Sequence, residues 1–265
     1  MQLSDFETLF VPHGGTDLAY LRQHFDRYVR TRQRFLAHGD PRGQGRMLDV
    51  GAHWLHQALL YSLDGFEVTA LDLPSTLDLP EVRSLAQAHG IRILPNADLE
   101  HPSALAAVAD DTFDAVLFTE VIEHLAFNPV GMWREIYRVM RPGARIVVTT
   151  PNYYALRSSV RRWLRVPVLL GGGIAVDSIL RLKSLALHWK EYSRRELVRY
   201  FRLLSPDFVV RNLAHVEEYH PAYLGRPSGK VLPLLERAIP PLRPDLYAEV
   251  ELTRKDKGII VEPHW

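Results

Sequence analysis

Short apolar runs alternate with stretches of helical periodicity between residues 46 and 149, and this alternation constrains the fold more than any other feature of the sequence. The apolar runs occupy residues 46–50, 67–71, 91–94, 113–118 and 144–149. The run at 113–118 (FDAVLF) is apolar at nearly every position, which is typical of a parallel strand buried on both faces. Strands that alternate with helices form parallel sheets with right-handed crossovers.

Two further apolar runs, at 207–212 and 247–252, predict two more strands, the second of them antiparallel to its neighbours. We therefore predict an α/β fold with a doubly wound, mostly parallel, seven-stranded sheet. Residues 16–38 have helical spacing and predict an N-terminal helix with Thr16 as its N-cap. Residues 153–190 depart from the strand–helix rhythm, and we interpret them as a helical insertion after the fifth strand, a lid or substrate-binding element of one domain spanning 1–265.

Composition excludes several classes of protein. Lysine and arginine number 32 and acidic residues 31, so no global charge favours a nucleic-acid partner. The absence of cysteine removes disulfides, thiolate metal sites and cysteine nucleophiles. No apolar run approaches the roughly 18 residues of a membrane span, and the N-terminus does not resemble a signal peptide. A cytoplasmic protein is the expectation.

Acidic residues stand at the ends of the first three predicted strands, at Asp49, Asp72 and Asp98. In a doubly wound sheet, ligands bind outside the carboxyl ends of the strands. A carboxylate only accepts hydrogen bonds, so Asp72 suits the two hydroxyls of a ribose, and Asp98 with Leu99 would flank an adenine. The alternative for each acid is a turn residue or a helix cap.

Five segments together resemble the class I S-adenosylmethionine-dependent methyltransferases: LDVG, ALDLP, NADL, FDAVLFTEVIEHL and MRPGARIVVTTPN, within residues 47–152. The resemblance implies a Rossmann-like methyltransferase fold and S-adenosyl-L-methionine as cofactor. It also implies cofactor contacts from the first-strand loop and from the acids after the second and third strands. The cofactor-binding residues expected on this basis are Asp49, Gly51, Ala52, His53, Asp72, Leu73, Asp98, Leu99 and Glu120.

The first-strand loop departs from the family pattern, because His53 and Leu55 stand where glycines are expected. Their side chains either point away from the cofactor or shrink its pocket. A non-catalytic binding module that keeps the fold is therefore an alternative. A dinucleotide-binding dehydrogenase is disfavoured, since no G-x-G-x-x-G turn follows the first strand.

Three ionisable residues follow the fourth strand: Glu120, Glu123 and His124. If a helical turn begins at Glu120, they share one face. With His188 they would form a site for Mg²⁺ or Mn²⁺, which resembles the metal-dependent small-RNA 2′-O-methyltransferases and a similar run in the ubiquinone-pathway O-methyltransferases. The alternatives are a catalytic role, with His124 or His188 as general base beside Glu123, and a structural role in capping a helix.

The insertion suggests the acceptor. Its arginines and aromatic residues suit an anionic or glycosyl acceptor, and its apolar segment VPVLLGGGIAV would also suit peripheral contact with a membrane. We predict O-methylation of a sugar or another small-molecule hydroxyl, with a quinone or phenol and then RNA as alternatives, although nucleic acid is disfavoured by the near-neutral charge. The basic residues behind this prediction are Arg157, Arg161, Arg162, Arg165, Arg181 and Lys183.

Overall fold

The computed structural model describes residues 2–15, 17–38, 45–156, 174, 176–183, 187–217 and 234–264. Seven strands form one sheet in the order β3-β2-β1-β4-β5-β7-β6, and β7 runs antiparallel to both neighbours. This confirms the predicted fold class. The strands are β1 (Arg46–Val50), β2 (Glu67–Asp72), β3 (Arg92–Pro95), β4 (Phe113–Thr119), β5 (Met140–Pro151), β6 (Phe208–Val216) and β7 (Asp245–Leu252).

Helices cover both faces of the sheet. The α-helices are α1 (Leu3–Glu7), α2 (Leu18–His38), α3 (His56–Leu63), α4 (Pro74–Leu77), α5 (Pro80–Ala88), α6 (Val130–Val139), α7 (Val176–Arg181) and α8 (Arg194–Leu204). Short 3-10 helices lie at Val11–His13, Ser103–Ala107, Ile122–His124 and Pro240–Leu242. Within the part of the chain that the structure describes, no helix is long and apolar enough to cross a membrane.

The alternation of side chains along each strand produces two cores. Val116 and Phe118 of β4 face the core that includes α6 and α8, where the Trp133 ring packs 5.0 Å from the Phe118 ring. Ala115 and Leu117 face the opposite core, which α2, α3 and α5 cover. Because β4 is buried on both faces, its apolar run needed no alternation, as a central parallel strand requires.

The ends of several elements differ from the sequence-based expectation. Helix α2 begins at Leu18, and the Asp17 carboxylate accepts a hydrogen bond from the Tyr20 amide at 3.0 Å, which is the N-cap interaction. Thr16, the predicted cap, lies outside the described residues. Helix α8 begins with a capping box, in which Ser193 and Glu196 are bonded reciprocally, as the S-x-x-E spacing of its sequence indicates.

The fifth strand is longer than predicted. Residues 141–143 read as a helix stop signal in the sequence, yet β5 begins at Met140, directly after α6, and Met140 pairs with Phe113. In the insertion, the structure describes the helix α7, and residues 157–173, which include Arg157, Arg161, Arg162 and Arg165, lie outside the described residues.

Candidate active site

The sheet reverses its winding between β1 and β4, and the predicted cofactor residues lie at or after the carboxyl ends of β1, β2, β3 and β4. The chain leaves β1 toward β2 and leaves β4 toward β5, so the two connections diverge and open a crevice at this edge. Gly51 follows β1 with φ of 78°, and a Cβ atom there would lie 2.5 Å from Cγ2 of Val121. Only glycine therefore fits this turn.

The loop after Gly51 has residues in the left-handed backbone conformation that favours glycine, although none of these residues is a glycine. His53 and Leu55 both have positive φ, of 49° and 66°. The Leu55 side chain is fully buried in the core, and the His53 ring lies 3.7 Å from the Trp54 ring and 5.0 Å from the Tyr20 ring. Leu55 points away from the crevice, and the backbone of the loop follows the left-handed path that glycine allows.

Asp72 anchors this loop to the end of β2. One of its carboxylate oxygens accepts the His53 amide and the other accepts the Leu73 amide, each at 2.6 Å. A carboxylate offers about four acceptor positions, so Asp72 retains capacity for the hydroxyls of a ribose. Leu73 continues from Asp72 as the N-cap residue of α4. The amide of Ala52, which is buried, lies 3.4 Å from the carbonyl of Leu71.

Asp49 is buried at the end of β1, and its Oδ2 has no hydrogen-bond partner. Burial and, to a smaller extent, the nearby Asp72 charge raise the pKa of Asp49 to about 8. A buried acceptor without a partner is costly, and a ligand donor at this edge would satisfy it. This orphaned oxygen, together with the glycine turn, fits a polar cofactor bound across β1 and β2.

Asp98 is exposed after β3 and is held by its own loop. Its carboxylate accepts the Glu100 amide at 2.8 Å and lies 3.0 Å from Nδ1 of His101. The hydrogen bond with His101 and that from the Glu100 amide lower the pKa of Asp98. Leu99 is half-buried against the core, and Asn96 supports the loop by donating to the Asp98 carbonyl at 2.5 Å.

Glu120 does not begin a helical turn, which corrects the expectation that it shares a face with Glu123 and His124. Its φ is 55°, its amide donates to the Thr149 carbonyl at 2.9 Å, and the 3-10 helix starts only at Ile122. The Glu120 carboxylate instead lies 3.3 Å from Nη1 of Arg27 in α2. Arg27 was missed by sequence reasoning, because no local pattern links a helix residue to an acid 93 positions away.

The other three predicted residues come together. One ligand atom from each of Glu123, His124 and His188 lies within 4.8 Å of the others. Glu123 is fully buried; Thr150 donates to its Oε2 at 3.0 Å, and its Oε1 has no hydrogen-bond partner. Nε2 of His124 lies 3.9 Å from that Oε1, and the His124 and His188 rings are 4.8 Å apart.

The protonation of this trio follows from its surroundings. Burial raises the pKa of Glu123 well above its usual range, and the nearby Glu120 charge raises it further. Burial and then His188 lower the pKa of His124, so its imidazole is neutral near pH 7. Nδ1 of His124 lies 3.1 Å from the Leu187 carbonyl and carries the proton, which leaves Nε2 as a free acceptor.

The trio also meets the geometric requirement for a divalent cation. Two ligands that each lie about 2.0–2.4 Å from an ion are at most about 4.8 Å apart. A ligating imidazole whose second nitrogen donates to a backbone carbonyl is the usual arrangement in metal sites, and His124 has it. Glu120, the fourth predicted ligand, faces Arg27 and is not one of the grouped residues.

Comparison with known proteins gives a consistent result. A family model described as a methyltransferase domain matches residues 20–202, well over half of the chain. The ubiquinone biosynthesis O-methyltransferase of Ruegeria pomeroyi is 32% identical over 128 residues, which are 45% of this chain and 49% of that protein, so the match spans about half of its length. The malonyl-[acyl-carrier protein] O-methyltransferase of Serratia marcescens is 28% identical over 74% of this chain and 72% of that protein.

Solved structures share the fold. An S-adenosylmethionine-dependent methyltransferase from Mesorhizobium loti superposes with a TM-score of 0.57 at 15% identity, over 84% of this chain and 96% of that chain. The 1,6-didemethyltoxoflavin-N1-methyltransferase of Burkholderia thailandensis, solved with bound 1,6-didemethyltoxoflavin and S-adenosylhomocysteine, superposes with a TM-score of 0.57 at 16% identity, over 95% of this chain and 87% of that chain.

Proposed function

The chain belongs to the methyltransferase domain family and is an S-adenosylmethionine-dependent methyltransferase, and from this premise we propose that it methylates a hydroxyl oxygen of a small molecule. The observation that carries the proposal is the position of His124 after β4, with Nδ1 3.1 Å from the Leu187 carbonyl and Nε2 3.9 Å from Oε1 of buried Glu123. Both curated relatives described above are named O-methyltransferases, which supports an oxygen acceptor.

The cofactor, when bound, supplies a methyl group already activated by its sulfonium. In the proposal, Asp72 takes the ribose hydroxyls, Asp98 and Leu99 flank the adenine, and the backbone of Gly51 and Ala52 lines the methionine end. The remaining tasks are to orient the acceptor and to receive its proton. Nε2 of His124 suits the second task, because its partner nitrogen is already committed to the Leu187 carbonyl.

A neutral imidazole of lowered pKa favours an acidic hydroxyl. A phenol, with a pKa near 10, loses its proton to such a base with much less cost than an alcohol does. The proposal therefore ranks a phenol or a hydroxyquinone, the class suggested by the name of the Ruegeria relative, alongside the sugar hydroxyl expected from sequence. A sugar acceptor stays a prediction, since most of the insertion residues behind it lie outside the described part of the chain.

A divalent cation is the second candidate for acceptor activation. Glu123, His124 and His188 would hold Mg²⁺ or Mn²⁺, which would lower the pKa of a coordinated hydroxyl. The observation that favours it is the buried Oε1 of Glu123, which has no hydrogen-bond partner and faces Nε2 of His124. With a cation, vicinal diols become the preferred acceptors.

The test combines cofactor binding with an acceptor screen. Calorimetric titration with S-adenosylhomocysteine is expected to show micromolar binding, and a catechol, a simple phenol and a sugar are then assayed with and without chelator and Mn²⁺. His124→Gln is expected to lower kcat about 10²-fold or more while leaving S-adenosylhomocysteine affinity unchanged. His264→Gln, at an exposed histidine near the C-terminus, is the matched control and should be silent.

Two results would contradict the proposal. Full activity of the His124→Gln variant would show that the His124 imidazole takes no part in the reaction. No binding of S-adenosylhomocysteine under any condition would instead favour the non-catalytic module.

A further inference from the structure

Two neighbouring threonines at the end of β5 face opposite sides of the sheet, and one of them meets the candidate site. Val148 points into the core that includes α6 and α8, and Thr150 continues that row of side chains. Val147 points into the opposite core, and Thr149 continues its row. The alternation along the strand therefore directs Thr150, and not Thr149, toward Glu123.

Thr150 makes a direct hydrogen bond to Glu123. The threonine is fully buried, and its Oγ1 donates to Oε2 of the glutamate at 3.0 Å. Its backbone is fixed, because Thr150 pairs with Leu246 of β7 within a register that continues to the pair of Pro151 and Asp245. A hydroxyl on a paired strand is held in place before any ligand binds.

Glu123 is also fixed at its backbone. Its carbonyl accepts the amides of Trp189 and Lys190 at 2.7 and 3.3 Å, in the segment that carries His188. The carboxyl group can still rotate about χ3, which is a broad torsion in glutamate. The hydrogen bond from Thr150 to Oε2 restricts that rotation and so fixes the direction of Oε1.

The direction of Oε1 matters because of the atom that it faces. Oε1 of Glu123 is buried without a hydrogen-bond partner and lies 3.9 Å from Nε2 of His124. One oxygen atom can lie about 2.8 Å, a usual hydrogen-bond length, from both of these atoms. The His124 ring is itself held at Nδ1, 3.1 Å from the Leu187 carbonyl. Oε1 and Nε2 together are therefore spaced to bind a single hydroxyl oxygen.

We infer that Thr150 is a positioning residue for methyl transfer, which holds Glu123 so that its Oε1 and Nε2 of His124 receive the hydroxyl oxygen of the acceptor. Thr150 does not contact the acceptor in this arrangement and acts through Glu123. The inference rests on the proposed function for the identity of the hydroxyl as that of a methyl acceptor. If a cation binds there instead, the same hydrogen bond orients Oε1 as its ligand, as outer-shell partners in metal sites do.

The strand end offers a set of matched variants for the test. Thr150→Val removes the hydroxyl and keeps the branched shape, whereas Thr150→Ser keeps the hydroxyl. Thr149→Val is the control, because Thr149 is also buried and its Oγ1 has no hydrogen-bond partner in the described part of the chain. Calorimetric titration with S-adenosylhomocysteine should give the wild-type affinity for all three variants, which shows that they are folded.

The first measurement does not require methyl transfer. Long-range nitrogen–proton NMR spectra of the imidazole rings report on Nε2 of His124, whose signals are assigned by their loss in His124→Gln. Thr150→Val should shift these signals because Glu123 is released, while Thr150→Ser and Thr149→Val should keep the wild-type signals. Unchanged signals in Thr150→Val, or an equal shift in Thr150→Ser or in Thr149→Val, overturn the inference.

Kinetics with an accepted hydroxyl substrate then measure the functional consequence. Thr150→Val should lower kcat about tenfold to 10²-fold with KM for the cofactor unchanged, whereas Thr150→Ser and Thr149→Val should stay within about threefold of wild type. Wild-type kcat in Thr150→Val overturns the inference. An equal loss in Thr149→Val also overturns it, because that result shows only a structural role for the strand end.

Failure of the proposed function gives a different result. A wild-type chain that methylates no acceptor contradicts the proposed function. If the NMR signals of His124 nevertheless shift in Thr150→Val alone, the arrangement of Thr150, Glu123 and His124 stands, and its ligand is not a methyl acceptor.

Discussion

The backbone at His53 provides the sharpest test of the candidate site, because a histidine there adopts a left-handed conformation that favours glycine. The φ of His53 is 49°, and its ring packs on Trp54 and Tyr20. Replacing His53 by Gly removes both the ring contacts and the backbone strain. Replacing it by Ala removes the ring contacts and keeps the strain, so the two variants differ in backbone strain and in the conformational entropy of the unfolded chain.

The expected magnitude follows from two opposing contributions. A left-handed conformation costs a residue with a Cβ roughly 1–2 kcal/mol. Glycine also loses more conformational entropy on folding than alanine does. This loss lowers the stability of the glycine variant by about 0.5–1 kcal/mol and offsets part of the strain relief. His53→Gly should therefore exceed His53→Ala in free energy of unfolding by roughly 1 kcal/mol, or about 2 °C in melting temperature for a chain of this size.

The control is the same pair of substitutions at Gln23, an exposed position inside α2. In a helix the order reverses, and Gln23→Gly should be less stable than Gln23→Ala by roughly 1 kcal/mol. Urea unfolding of the four variants measures both differences. If His53→Ala equals or exceeds His53→Gly in stability, the loop does not hold residue 53 in the left-handed region, and the description of the cofactor loop is wrong.

Two further predictions concern the same edge of the sheet. Gly51→Ala should lower the free energy of unfolding by about 2 kcal/mol or more, because its Cβ would lie 2.5 Å from Val121 on a backbone with φ of 78°. The same variant should not bind S-adenosylhomocysteine in calorimetry. A variant with wild-type stability and affinity would refute the assigned turn. Asp49 has a pKa raised to about 8 by burial, so the folded state holds its proton more tightly than the unfolded state does, and the associated stability is lost as pH rises from about 4 to 8. Urea unfolding across this range should show wild type losing stability relative to Asp49→Asn, and a constant difference between the two proteins would contradict the raised pKa.

Much of the fold could be predicted from local sequence. The apolar run of β4, buried on both faces, and the Ser193–Glu196 capping box of α8 are local signals, and the structure has both. The prediction of a helical turn at Glu120 was wrong, because the positive φ of that residue redirects the chain before the 3-10 helix begins at Ile122. The periodicity of the sequence carries no information about that φ. Spacing describes which residues share a face only where the backbone is regular.

The sequence by itself determined which residues stand at the strand ends, because hydrophobic periodicity ends each strand at a recognisable residue and parallel strands align those ends at one edge. Asp49, Asp72 and Asp98 were identified in this way. Only the tertiary structure decided which side chains of α2 lie at the candidate active site. Several arginines lie on the surface of α2, and the orientation in which the helix packs on the sheet places Arg27 beside Glu120 and Arg34 near the Tyr247 ring. That orientation depends on contacts between residues about 90 to 210 positions apart, and no local pattern encodes it.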